Sequence, residues 1–162
     1  MSARAFIALG SNLQDPAVQV TRAFAKLAEL TKTRIFRQSS LYCTAPVGYD
    51  DQPDFINAVA EVETALAPLV LMQALLALES SFGRERIFAN APRILDLDLL
   101  LYDDRVMQTT DLILPHPRMH ERGFVLFPLA EIAPDMEIPG KGRVSELLQH
   151  CHDQGVTKLP CP

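Results

Sequence analysis

Residues 90–101 read NAPRILDLDLLL, a loop that runs into a predicted strand. Asp96 and Asp98 are two residues apart, so in a strand both side chains point to the same face, with backbones about 6–7 Å apart. Carboxylates this close repel unless a cation lies between them. The pair therefore indicates a hard metal ion such as Mg²⁺, which takes one or two carboxylates together with phosphates and waters.

An exposed amphipathic strand, with aspartates outward and leucines inward, is the alternative reading of the same residues. Three leucines follow at 99–101, and they predict burial of both strand faces just downstream. Aspartate is also a poor strand former. Spacing alone favours the metal site over the exposed strand, and leaves both open.

Composition limits the classes of protein to consider. The chain has 162 residues, 48% of them hydrophobic, and a net charge of −5, which predicts one domain over residues 1–162 and argues against a general nucleic-acid or anionic-membrane surface. The sequence shows neither a signal-peptide pattern nor an apolar run of about 18 residues, and its three cysteines lack metal-ligand spacing. We expect a cytoplasmic monomer with a weakly ordered tail, without a role, from about residue 150.

Three arginines precede the aspartate pair: Arg84, Arg86 and Arg93. An arginine fork matches phosphate oxygens in bidentate geometry. A solvated charge run is the usual explanation of such residues, but the neighbouring aspartates favour an anion site here.

His116 lies between two prolines, which fix its backbone, and it is followed by Arg118 and Arg122. A lone histidine is more often structural than functional. The two nearby arginines make a phosphate contact credible.

A third strand is predicted over residues 55–62, with Phe55, Asn57 and Val59 on one face. A buried asparagine needs hydrogen-bond partners. Its amide could pair with the edge of a heterocycle or with nearby loop backbone, and the sequence does not decide between these. The loop before this strand, residues 44–53, is long enough to suggest a function, although taken alone it is better explained as a plain surface crossover.

Together these motifs resemble the 6-hydroxymethyl-7,8-dihydropterin pyrophosphokinase family over residues 6–146. The matching segments, in order along the chain, are ALGSNL at 8–13, TAPVG at 44–48, DQPDFINA at 51–58, GRER at 83–86, APRILDLDLL at 91–100 and PHPRMHERGF at 115–124. The resemblance implies a ferredoxin-like α+β fold, with an antiparallel sheet that carries its helices mainly on one face. It also implies a single catalytic domain that transfers pyrophosphate from ATP to the pterin hydroxymethyl group and releases AMP.

The same resemblance assigns roles to individual residues. Two magnesium ions would be bound by Asp96 and Asp98, which with Arg84 and Arg93 form the catalytic set. ATP would contact the basic residues Arg84, Arg86, Arg93, His116, Arg118 and Arg122. The pterin would be read by Asn57, stacked between Phe55 and Phe124, and contacted by the loop residues Thr44, Ala45 and Val47.

The chain departs from the family pattern at two positions near the aspartates. The family usually has a basic residue where Ala89 stands and often threonine where Ile94 stands. Two other functions compete with this one: another magnesium-dependent phosphotransferase on the same fold, and a ferredoxin-like RNA-binding module. An RNA binder would need a basic sheet face with exposed aromatic rings, which the acidic composition opposes.

Overall fold

A computed structural model describes residues 2–13, 15–44, 54–82 and 94–159 of the chain. The strands are β1 (Ala3–Ser11), β2 (Thr33–Gln38), β3 (Tyr42–Thr44), β4 (Phe55–Thr64), β5 (Asp96–Tyr102), β6 (Met107–Gln108), β7 (Ile113–Leu114), β8 (Glu137–Ile138), β9 (Gly142–Arg143) and β10 (Thr157–Lys158). The helices are α1 (Pro16–Ala28), α2 (Pro68–Ser81), α3 (Gly123–Ile132) and α4 (Val144–Leu148), with 3-10 turns at Met119–Glu121 and Gln149–Cys151.

One antiparallel sheet organises these elements. Its strand order is β10-β3-β4-β1-β5, and β2 also pairs with β4. The sequence pattern predicts a single strand over residues 33–42, but the structure has two strands there, because β2 and β3 pair with different stretches of β4. The mixed α/β class with an antiparallel sheet, predicted from the sequence, is confirmed.

Strand alternation separates two hydrophobic clusters. Ile7 and Leu9 point to one sheet face and pack with α1 and α2, whereas Phe6 and Val59 point to the other and pack with α3 and α4. We expected the helices mainly on one face, and the two longer ones lie there. The other face is partly covered as well, so the site shares its sheet face with α3.

Helix α2 is less buried than its composition predicts. Residues 68–82 are apolar nearly all round, which predicts a well-buried helix, but Leu69, Val70 and Leu76 are exposed. The helix packs on the sheet through its buried side, which carries Leu71, Leu75 and Leu78. Within the described residues, none of the helices combines the length and apolar character that a membrane span requires.

The C-terminal segment, predicted to be a weakly ordered tail, contacts other parts of the fold. Cys151 is buried, and β10 pairs with β3. These contacts join residues that are far apart in sequence, and the local composition of the segment does not reveal them.

Candidate active site

The site is built on one row of residues across four strands. Asn57 of β4 pairs with Tyr42 of β3 on one side and with Gly10 of β1 on the other, and Gly10 pairs with Asp96 of β5. Directly paired residues of antiparallel strands project to the same face. Because neighbouring strands lie about 4.8 Å apart, the backbones of Asn57 and Asp96 are about 10 Å apart.

Asp96 and Asp98 lie on the site face of β5, alternating with Leu97 and Leu99, which are buried against α2. Both aspartates are partly exposed. In the part of the chain that the structure describes, His, Cys, Asp and Glu side chains form no cluster of three or more that could hold a metal ion. Two carboxylates fit Mg²⁺, which completes its shell with phosphate oxygens and water.

The segment from His116 to Arg122 brings basic side chains near the aspartates. The backbone N–H of His116 donates to the Leu100 carbonyl at 2.9 Å, which ties the residue to β5. Burial and the nearby guanidinium of Arg118 lower the pKa of Arg122, whereas Asp98 and Asp96 act on that pKa in the opposite direction. The carboxylates and guanidinium groups are therefore close enough to bind opposite charges of one ligand.

His116 is neutral at neutral pH. Burial lowers its pKa, Arg122 lowers it further, and Asp96 opposes both. The backbone N–H of Arg118 lies 3.3 Å from Nδ1 of His116 and donates to it. A neutral imidazole that accepts at Nδ1 carries its proton at Nε2, so this ring can donate one hydrogen bond to an anion.

Asn57 is buried, and its side-chain amide is held in place. Its Nδ2 donates to Oγ1 of Thr44 at 2.9 Å. A Cβ at Gly10 would lie only 3.0 Å from Oδ1 of Asn57, so the glycine leaves the space that this amide occupies. The described part of the chain thus pairs Asn57 with a hydroxyl group on β3, a partner that the sequence did not predict.

Two aromatic rings flank this region. Phe55 begins β4 on the same face as Asn57 and pairs with Thr44, and Phe124 lies in the first turn of α3. Both rings are partly exposed. The guanidinium of Arg122 lies 5.5 Å from the centre of the Phe124 ring, so the cationic and aromatic parts of the site adjoin.

A cavity of about 280 Å³ next to Asp98 and His116 was not predicted from the sequence. Its remaining wall comes from α2, from β5, from the segment before β7 and from β7 itself, mainly Met72, Leu76, Leu97, Leu99, Thr110, Asp111, Leu112 and Ile113. One signal could have revealed it: α2 carries more apolar side chains than a helix packed on one side needs. Met72 and Leu76 belong to that excess.

Glu79 is a second residue that the sequence analysis missed. Its buried carboxylate accepts the backbone N–H of Leu97 at 2.6 Å. Leu97 lies between the two aspartates, so Glu79 fixes the outer edge of β5.

Five of the predicted site residues lie outside the described residues: Arg84, Arg86, Arg93, Ala45 and Val47. The others lie on the site face of β4 and β5, at the end of β3, or in the segment from His116 to the start of α3.

Solved structures define the class of fold. A Plasmodium falciparum HPPK-DHPS crystal structure with pteroate matches 92% of this chain with a TM-score of 0.74, at 14% identity. This chain spans 42% of that longer chain, so the likeness concerns the fold alone.

Sequence comparisons then identify the family. The family model of 7,8-dihydro-6-hydroxymethylpterin-pyrophosphokinase (HPPK) matches residues 6–134. The 2-amino-4-hydroxy-6-hydroxymethyldihydropteridine pyrophosphokinase of Pseudomonas aeruginosa is 43% identical over 160 residues, 99% of each chain. The enzyme of the same name from Haemophilus influenzae is 43% identical over 96% of this chain and 97% of its own. The chain belongs to the HPPK family, which confirms the predicted resemblance and disfavours the RNA-binding alternative.

Proposed function

We propose that this protein transfers the β,γ-pyrophosphoryl group of ATP to the hydroxymethyl group of 6-hydroxymethyl-7,8-dihydropterin in folate biosynthesis. The hydroxyl oxygen would attack the β-phosphorus, the bond from this phosphorus to the α,β-bridging oxygen would break, and AMP would leave. The hydroxyl proton would pass to solvent, because no side chain is assigned as a general base.

The observation that carries this proposal is the row Asn57–Gly10–Asp96. It places an amide, which can donate and accept, about two strand spacings from a carboxylate pair. A two-ring heterocycle bound by its polar edge at Asn57 would reach toward the aspartates with its hydroxymethyl group. The row therefore supports a single substrate that is recognised at Asn57 and reacts beside the aspartates.

The pterin subsite would be closed by aromatic rings and loop backbone. Phe55 and Phe124 would stack on the two faces of the ring, and Thr44 would orient the amide of Asn57 through their 2.9 Å hydrogen bond. Ala45 and Val47 would add backbone contacts, as the family resemblance implies.

The nucleotide would lie on the aspartate side of the row. The purine would occupy the cavity between α2 and the segment before β7, which is apolar on the α2 side and has polar groups at Thr110 and Asp111. Arg118, Arg122 and the Nε2–H of His116 would contact the phosphates. From the family resemblance, Arg84, Arg86 and Arg93 would join them.

Two magnesium ions would be held by Asp96 and Asp98 together with phosphate oxygens. When bound, they would neutralise the polyphosphate and orient it for in-line attack. The role of the protein is then to position the substrates and to stabilise charge with fixed cationic groups.

The decisive experiment is identification of the nucleotide product. The purified protein, ATP, Mg²⁺ and the pterin are expected to yield AMP and the pterin diphosphate, with turnover lost after chelation and restored by Mg²⁺. ADP as product would favour a different phosphotransferase and would refute the proposal. The monomeric state, the cytoplasmic location and the single domain over residues 1–162 stay predictions.

A further inference from the structure

Residues 151–159 begin with the last residue of the final 3-10 turn and contact two elements of the proposed pterin subsite; we call them the C-terminal strap. Cys151 is buried in the same hydrophobic cluster as α3. At the far end of the strap, Thr157 pairs with Cys43 and Lys158 with Tyr42 of β3. The strap therefore joins the start of α3 to the strand that ends at Thr44.

Gln154 makes the central contact of the strap with α3. Its side-chain Oε1 accepts the backbone N–H of Gly123 at 2.8 Å, and its Nε2 donates to the carbonyl of Glu121 at 2.9 Å. The first N–H groups of a helix have no partners within it, and Arg122, the capping residue of α3, forms no side-chain cap. Gln154 supplies this cap from a distant part of the chain.

The strap also lies directly against the backbone at Gly123. A Cβ at this position would meet Oε1 of Gln154 at 3.1 Å, Cγ2 of Val156 at 3.2 Å and Cβ of Cys151 at 3.4 Å. Glycine is needed here for close approach. The two hydrogen bonds of Gln154 thus hold the backbone at Glu121 and Gly123, the residues on either side of Arg122. Phe124 follows directly in the sequence.

A second set of contacts secures the other end. The backbone N–H of Leu159 donates to the Leu41 carbonyl at 2.9 Å, and the Tyr42 hydroxyl donates to Glu131 of α3 at 2.7 Å. Tyr42 is the neighbour of Asn57 in the site row. The strap and α3 therefore hold β3 at a fixed position relative to Phe124.

We infer that Gln154 is a positioning residue, which fixes the orientation of Arg122 and Phe124 relative to Asn57. The inference rests on the proposed function, because it takes these residues as phosphate and pterin contacts. Removing the amide leaves the Gly123 N–H and the Glu121 carbonyl without these partners and loosens the first turn of α3. A misplacement of about 1 Å in a positioning group can cost up to about a hundredfold in rate.

The test compares Gln154→Ala and Gln154→Glu with Gln149→Ala, a matched control whose side chain is exposed. Gln154→Ala is expected to lower kcat/KM for the pterin about tenfold to a hundredfold. Gln154→Glu keeps the acceptor for the Gly123 N–H but loses the donor to Glu121, so its activity is expected to be intermediate. Gln149→Ala is expected to match the wild type.

Amide exchange at Gly123 provides a readout that does not depend on activity. It is expected to accelerate in Gln154→Ala and to stay unchanged in Gln149→Ala. If both Gln154 variants melt at lower temperature yet keep wild-type kinetic constants well below melting, Gln154 is merely structural and the inference is wrong. If the wild type itself makes no AMP, the proposed function fails, whereas the Gly123 exchange still tests the contact.

If Gln154→Ala does not fold, Gln154→Glu decides the matter. An intermediate kcat/KM with faster Gly123 exchange supports the inference. Wild-type kinetics in that variant overturn it.

Discussion

Replacing Gly10 with alanine tests the geometry of the site row directly. The new Cβ would lie 3.0 Å from Oδ1 of Asn57 and 3.9 Å from the Ile56 carbonyl, so only the amide contact is too close. Residues of β1 on either side of Gly10 already carry side chains. The substitution therefore adds one methyl group at the point where the amide lies over the sheet.

The magnitude follows from that distance. Ordinary contact begins at 3.4 Å, so Oδ1 has to move by about 0.4 Å from its present 3.0 Å. Because β1 and β3 lie on opposite sides of β4, this movement pushes the amide toward β3 and disturbs the geometry of its 2.9 Å bond to Thr44. Overpacking of this kind costs about 1–3 kcal/mol, and each kcal/mol lowers Tm by about 2–4 °C in a chain of this size.

Gly10→Ala is expected to weaken pterin binding while leaving the binding of ATP unchanged. An amide displaced from its partners costs about 1–3 kcal/mol, which is about a tenfold to hundredfold loss of affinity. Titration calorimetry with the pterin, in the presence of Mg²⁺ and a non-hydrolysable ATP analogue, measures this loss. Titration of the analogue alone is expected to give the wild-type value.

A double-mutant cycle isolates the cause. In an Asn57→Ala background the clashing oxygen is absent, so Gly10→Ala is expected to have little further effect, and the two substitutions are expected to be strongly non-additive. Additive losses, or an unchanged pterin affinity in Gly10→Ala, would refute the reasoning that Gly10 makes room for the amide.

Three further predictions follow from the same site. Asp96→Asn and Asp98→Asn are each expected to reduce turnover by orders of magnitude while Tm is retained, because each loss of about 1.36 kcal/mol of transition-state stabilisation lowers the rate about tenfold. Near-normal Mg²⁺-dependent AMP formation in both variants would contradict the metal site. Asn57→Ala is expected to weaken pterin binding about tenfold to a hundredfold and to spare ATP, and calorimetry showing the reverse would mean that the two substrates are interchanged. Because the pKa of His116 is lowered in the folded state, the unfolded state binds the proton first as pH falls below 6.5, so stability falls; metal-free denaturation at pH 7 and pH 5 is expected to show a smaller loss in His116→Gln than in the wild type.

Local patterns in the sequence predict much of this fold and part of the site. The Asp96–Asp98 alternation with leucines predicts β5 and its functional face, and the face shared by Phe55 and Asn57 predicts β4. The sequence pattern predicts a helix from residue 127, whereas α3 begins four residues earlier; Pro128 is typical of a first helical turn but lies inside this helix. Partners that depend on tertiary packing, such as Thr44 for Asn57, leave no local signal.

The cavity beside Asp98 and the cap supplied by Gln154 escaped prediction for the same reason. Each is formed by elements brought together only by the sheet topology. Gln154 and Gly123 are 31 residues apart, and neither residue type is unusual in its own segment. The sequence of α2 does show more apolar residues than one buried side needs. That excess predicts a helix buried all round, whereas in the structure part of it lines the cavity.

The register between β1 and β5 decides which side chains form the site. Leu9 pairs with Leu97 and Gly10 with Asp96; a slip of one residue would turn both aspartates toward α2 and the leucines toward the ligand. Leu97 and Leu99 are buried and oppose this slip. Glu79 reinforces them from outside, since its carboxylate holds the Leu97 N–H at 2.6 Å.

The two faces of the strands have different roles, which explains how three poor strand formers can occupy one row. Asn57, Gly10 and Asp96 contribute little to strand stability, but each has a neighbour in sequence whose side chain lies in the core on the opposite face. Ile56, Leu9 and Leu97 are those neighbours, and all belong to the cluster beneath α1 and α2. Because one face of the strands supplies the stability, the other face can carry the residues that the proposed reaction needs: the amide of Asn57, a glycine without a side chain at position 10, and the carboxylate of Asp96.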